Sequence, residues 1–183
     1  MKKIIWTFGL IAGCILSVMM LVTLPFEASF EGLAEVVGYT TMVVAFLLIF
    51  FGIRSYRDNV GGGSVSFGRA VAIGALITGI SSACYVVTWE AVYFKFAPNM
   101  AARFDAVSIE KAKRGGTSPE EIQRKTAETQ RFLELYKNPF INSAMTFLEP
   151  LPVGLIITLV SARVLRRKPE NAPAGTLATS SAL

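Results

Sequence analysis

The sequence predicts an all-α polytopic membrane protein: four transmembrane helices, with an extracytoplasmic helical insertion between the third and the fourth. Four apolar runs carry most of that prediction. Residues 4–24, 33–53, 70–96 and 144–165 are each long enough, at about 1.5 Å per residue, to cross a hydrocarbon layer of roughly 30 Å. Composition carries the rest. Of 183 residues, 52% are hydrophobic and the mean hydropathy is +0.51, with the excess inside those runs rather than in stripes of period 2 or 3.6. A run of about 20 apolar residues without alternation must satisfy its own backbone hydrogen bonds in lipid, so it is a helix and not a barrel strand.

Helix one follows Lys2 and Lys3, a start that also fits a secretory signal peptide, and Ile11-Ala12-Gly13-Cys14 resembles a bacterial lipobox. Residues 15–22 decide between these readings. They continue the apolar run past Cys14, where a cleaved leader would give way to polar sequence, so helix one is expected to remain uncleaved. Gly9 and Gly13 form a small-residue pair four apart, and helix three repeats that spacing in Ala75, Gly79 and Ala83, with Gly74, Thr78 and Ser82 beside them. Helix three is therefore expected at the centre. Such stripes serve packing within one chain as readily as between chains, so they leave the oligomeric state open.

Between helices two and three, residues 54–69 are read as a loop carrying Arg54, Arg57 and Arg69 around a glycine run. A phosphate-loop reading fails, because there is no Gly-Lys-Ser/Thr and no preceding strand. A flexible turn into Ser66-Phe67 explains the glycines, with the three arginines placed to meet anionic lipid headgroups. Lys and Arg are retained on the cytoplasmic side. Lys2 and Lys3, this loop, and Arg163, Arg166, Arg167 and Lys168 share one side, so both termini are expected in the cytoplasm. The loop at residues 25–32 holds Glu27 and no base, in agreement.

The insertion, residues 98–138, then lies outside, although it carries eight bases between Arg103 and Lys137. Most of them stand well away from the spans and alternate with acids, where the rule weakens. Its second half has a helix start: Ser118 as N-cap, Pro119 in the first turn and Glu121 completing a capping box, with Asn138-Pro139 as the stop. Met100, Phe104 and Val107 suggest a shorter amphipathic helix before it. Together they cap the bundle or lie at headgroup level, and they offer a surface to an envelope protein.

Three acids fall within or beside the spans: Glu35, Glu90 and Glu149. A charge at the bilayer centre costs about 2.5–3.5 kcal/mol on insertion scales, so these are the candidates for an ion or proton site. The topology brings all three to one membrane face, Glu35 and Glu149 at the outer starts of helices two and four and Glu90 at the outer end of helix three. Lys95 and Arg103 are possible counter-charges, and headgroup solvation or a helix N-terminus is the plainer account. Glu149-Pro150-Leu151-Pro152 should break helix four, since each proline removes a backbone donor. The break is expected in the outer leaflet, where a freed carbonyl beside Glu149 would be a reasonable cation ligand. Residues 169–183, rich in Ala, Ser, Thr and Pro, read as a disordered cytoplasmic tail.

Enzyme readings find little support. There is no His, and the two cysteines, Cys14 and Cys84, both fall within spans, which leaves no zinc or disulfide framework and no metal or cofactor signature. The net charge of +5 is carried by bases that flank the membrane, so it argues for lipid and not for nucleic acid. Two function classes remain: a structural or accessory membrane component, which is preferred, and a small ion- or proton-coupled transporter or channel that uses Glu35, Glu90 and Glu149.

Two stretches resemble a known family. Tyr56-Arg57-Asp58 through the glycines to Ser66-Phe67-Gly68-Arg69-Ala70, followed by Ile73-Gly74, is similar to the second-to-third helix junction of bacterial membrane proteins grouped as domain of unknown function 4199. Glu149-Pro150-Leu151-Pro152-Val153-Gly154-Leu155-Ile156-Ile157 and Leu159-Val160-Ser161-Ala162 are similar to that family's last helix. The resemblance covers residues 4–168. It implies a four-helix bacterial inner-membrane protein without an assigned activity, and it brings no catalytic residues.

Overall fold

The computed structural model describes residues 1–24, 33–96, 109–110, 114, 116 and 118–167, with backbone alone at 33–35 and 119. Among the described residues the elements run in the order α1 (Lys2–Thr23), α2 (Leu33–Asn59), α3 (Phe67–Ala91), α4 (Pro119–Tyr136), α5 (Pro139–Leu148) and α6 (Leu151–Leu165), with a π-helical turn at Val92–Phe96 extending α3. The described residues contain no strand; an isolated bridge joins Val65 to Arg167. Four segments are long and apolar enough to cross a membrane: Lys2–Thr23, Val36–Asn59, Phe67–Phe96 and Pro139–Leu165. The chain is a multi-pass membrane protein.

Several expected boundaries move. α2 runs to Asn59 rather than ending at Ile53, and α3 starts at Phe67 rather than Ala70, so Arg54, Arg57 and Arg69 stand on helices and the connecting turn shrinks to residues 60–66. Arginine has good helix propensity and its long stem reaches past an apolar end, so a basic flank continues a helix rather than stopping it. The turn itself is hydrogen-bonded: Gly63 N–H donates to the Arg57 carbonyl at 2.9 Å, and Gly62 and Gly63 hold φ of 60° and 81°, which excludes most side chains there. Ser66 caps α3 by accepting from the Arg69 N–H. The fourth span starts at Pro139, five residues before the expected Ala144, because Asn138 caps α5 through the Phe140 N–H and Pro139 fits its first turn. Ser118 likewise caps α4 by accepting from the Glu121 N–H. The expected helix around Met100, Phe104 and Val107, the Glu27 loop and the tail lie outside the described residues.

Contact pairs fix the helix directions. Gly9 meets Ile80 and Gly13 meets Cys84, so α1 runs parallel to α3; Gly74 meets Thr158 and Gly154 meets Thr78, so α6 runs against α3. α3 touches α1, α2, α5 and α6 and is the central helix. Of its two expected rows of small residues, Gly74, Thr78 and Ser82 are buried, whereas Ala75, Gly79 and Ala83 are not. Gly79 faces open space, and the buried strip is Ile73, Gly74, Ile77, Thr78, Ser81 and Ser82. That strip adds hydroxyls to small size, and they tie helices together without water: Ser81 Oγ donates to the Gly9 carbonyl at 3.0 Å and Thr88 Oγ1 to Ser17 Oγ at 2.9 Å.

Phe46, Ile49, Ile53, Ile73 and Ile77 fill the centre, fully buried. Outward, Trp6, Leu10, Val43, Leu47, Val87 and Ile156 are each about half exposed or more, a belt that only lipid would solvate without penalty. α6 packs on both α2 and α3, whereas α5 leans on α3 and α4. The change of partner falls at Glu149 and Pro150. Proline at 150 and 152 withdraws the donors that would have met the carbonyls of Thr146 and Leu148, and the α-helix is interrupted there.

Candidate functional site

A cavity of about 480 Å³ lies beside this break, at the end of the bundle that carries α4. Glu149 lines it, with Tyr39 from α2, Tyr85 and Trp89 from α3, and Tyr136 from the end of α4. A second, mostly apolar cavity of about 410 Å³ lies under α4, and Trp89, Tyr136 and Glu149 border both.

Glu149 was expected at the start of the fourth helix, at headgroup level. The helical segment that carries it starts at Pro139, ten residues before it, rather than at Ala144, because α5 precedes the break. Its carboxylate accepts from the Tyr85 hydroxyl at 3.4 Å. Glu90 stands on α3 towards the same end, but it accepts from Ser143 Oγ at 2.7 Å and does not line either cavity. Glu35 starts α2 at this end, and its side chain lies outside the described residues. Of the three expected acids, one therefore faces a cavity and one is engaged in packing. Lys95 lies exposed on the π-helical turn, and Arg103 lies outside the described residues.

The lid over this region is built from Tyr136 and Asn142. Asn142 is fully buried; its amide donates to the Tyr136 carbonyl at 3.2 Å and its Oδ1 accepts from Thr146 Oγ1 at 3.4 Å. Tyr136 Oη and Thr146 Oγ1 are 3.1 Å apart and hydrogen-bonded. The Tyr136 ring meets Tyr93 edge-on and stacks on Phe132, both with centroids 5.4 Å away. Such pairs contribute about 0.5–1.5 kcal/mol each beyond the area they bury. Burial raises the Tyr136 pKa above the usual phenol value, and the charge of Glu149 pushes the same way. The Trp89 indole N–H is buried close to this hydroxyl, and together with Thr146 it lowers the Tyr136 pKa against the effect of burial.

At the opposite end, Arg57 pairs with Asp58 at 2.7 Å and Arg54 approaches the same carboxylate at 3.6 Å. Arg69 stands in the first turn of α3. The Arg167 N–H donates to the Val65 carbonyl at 3.2 Å, so the end of α6 is fastened to the glycine turn and these bases form one basic end.

The acids were legible in the sequence; the aromatic wall was missed. Tyr85, Trp89 and Tyr93 recur every four residues along one face of helix three, and that spacing was the available signal. Among the described residues no three His, Cys, Asp or Glu side chains are grouped as metal ligands. Cys14 and Cys84 are free thiols. A family model described as protein of unknown function (DUF4199) matches residues 7–167. No curated protein and no solved structure matches the chain.

Proposed function

The chain belongs to the DUF4199 family, and we propose that it is a non-enzymatic membrane protein that binds a cation between its helices, as a small carrier or a binding component. The observation that carries this reading is Glu149, a carboxylate about 15 Å along a membrane span, facing a cavity at a proline break. A carboxylate held at that depth favours a positive ligand or a proton over an anion or a neutral solute. Glu35 and Glu90 are assigned no direct contact with the ligand.

The distribution of bases supports an orientation with both termini in the cytoplasm of a bacterial cell and the spans in its inner membrane, which puts α4 and the two cavities on the extracytoplasmic side. Arg54, Arg57 and Arg69 then meet anionic headgroups, with Asp58 sharing the first two.

Apolar carbodiimide labelling tests the cation reading. Glu149 should be modified faster than Glu90, and at least one cation from a panel of Na⁺, K⁺, Ca²⁺ and tetraphenylphosphonium should slow it. Modification indifferent to every member would reject the reading. A second reading, an accessory component, is favoured by one observation: α4 turns Glu120, Gln123 and Arg124 to water, a charged face suited to an envelope protein docking on residues 98–138. Copurification in mild detergent tests it. A partner lost when Arg124 and Arg131 are replaced by Glu supports it, and the protein emerging alone counts against it.

A further inference from the structure

We infer that the Glu149 cavity takes a bulky organic cation of the quaternary ammonium or phosphonium type rather than a bare metal ion; this rests on the cation-binding reading above and specifies its ligand. Size argues first. A volume of about 480 Å³ is that of a small-molecule pocket, far wider than the shell of oxygens that closes on an alkaline-earth ion at about 2.0–2.6 Å.

Donor supply argues second. Hard cations take roughly six to eight oxygens drawn tightly together, and among the described residues the wall offers a single carboxylate. Its other side-chain oxygens are hydroxyls spread over four helices, Thr23, Tyr39, Thr41, Tyr85 and Tyr136, and neutral hydroxyls do not supply the charge that holds a small hard ion.

The third argument is the chemistry of the remaining wall. Tyr39, Tyr85, Trp89 and Tyr136 come from three different elements to one space around Glu149, with Met42 at its floor. Aromatic faces attract a diffuse positive charge, most strongly when it is desolvated, and a thioether adapts to irregular apolar shapes. An alkylated or arylated cation sheds its water at little cost, so it gains from these faces, whereas a small ion would lose its hydration and find no replacement. Trp89 and Tyr136 also border the apolar cavity beneath α4, which offers room for an apolar substituent.

Trp89 reports on the site directly. The sequence has two tryptophans, and the other, Trp6, is exposed on α1, so Trp6→Phe leaves Trp89 as the single indole. The full-length Trp6→Phe protein in mild detergent is titrated with tetraphenylphosphonium chloride, with neutral triphenylphosphine oxide, and with NaCl, KCl and CaCl₂. The expected result is a saturable change in Trp89 emission with the phosphonium. Affinity should fall at least about tenfold for the neutral oxide and about tenfold in Glu149→Gln, while Glu90→Gln binds as the parent does. The comparison of two probes on one protein needs no substitution beyond Trp6→Phe. Equal binding of phosphonium and oxide would overturn the inference, leaving only an apolar pocket. A response to Na⁺, K⁺ or Ca²⁺ with none to phosphonium would overturn the ligand class but keep the cation site. Silence with every probe, together with unprotected Glu149 in the carbodiimide experiment, would remove both.

Discussion

Gly154→Ala probes how α3 and α6 meet. A methyl at Gly154 would lie 2.4 Å from Thr78 Cγ2, 2.9 Å from its Oγ1 and 3.2 Å from its Cβ. Thr78 is fully buried, is branched at Cβ, and donates its hydroxyl to the Gly74 carbonyl at 2.9 Å, so no rotation of χ1 clears the space without breaking that bond. The helices must part, and overpacking of this kind costs about 1–3 kcal/mol. Thr78→Ala removes the two closest atoms, so the double variant should recover, with a coupling of about 1–2 kcal/mol in its favour. Gly79→Ala is the control, since nothing lies within 4 Å and alanine is the better helix former by up to about 1 kcal/mol. The assay is reversible unfolding in mixed detergent micelles across this set. Wild-type stability in Gly154→Ala, or an equal loss in Gly79→Ala, would refute the placement of the packing stripe on Gly74 and Thr78.

Other predictions concern the break and its lid. Replacing both Pro150 and Pro152 by Ala restores donors for the carbonyls of Thr146 and Leu148, so spin labels at the exposed positions Phe140 and Val164 should move apart as the helix becomes continuous; an unchanged distance would clear the prolines of causing the break. Asn142→Leu leaves the Tyr136 carbonyl without its donor and should cost about 1–3 kcal/mol, read as faster proteolysis within α4; undiminished protection would show that the amide does not hold the lid. Tyr136 has a raised pKa because its neutral phenol is favoured when packed. The stability it contributes is therefore intact below the usual phenol value and is lost as pH rises through the raised one. Ring-labelled NMR should find Tyr136 titrating above 10, and Tyr136→Phe should flatten the alkaline loss of lid protection; titration at or below 10 contradicts the packing.

Hydropathy alone located the four spans, because lipid acts on whole runs and does not depend on tertiary detail. The helix cap at Ser118 was similarly legible, being local chemistry. Of two adjacent rows of small residues on helix three, Gly74, Thr78 and Ser82 pack and Ala75, Gly79 and Ala83 do not, because spacing of four residues marks a helix face without saying which face a neighbour takes. The start of the helix before Glu149 was placed too late for a related reason. The apolar run was counted from Ala144, while Asn138 and Pro139 start the helix earlier and carry polar Asn142 and Ser143 inward, where Tyr136 and Glu90 satisfy them. The aromatic wall around Glu149 needed the fold, since Tyr39, Trp89 and Tyr136 are far apart in sequence and meet only after α4 folds back on α5.

The central claim is that Glu149 gives an intramembrane cavity a preference for positive charge. Thr41 lines that cavity, and Thr41→Cys in a background with Cys14→Ala and Cys84→Ala places a single thiol there. Its reaction rate in membrane vesicles with a trimethylammonium methanethiosulfonate is to be compared with that of the anionic sulfonate reagent of similar size, with and without Glu149→Gln. The account predicts that the cationic reagent reacts at least about tenfold faster, and that Glu149→Gln abolishes the difference. Equal rates for the two reagents with Glu149 in place, or a thiol that neither reagent reaches, would contradict it.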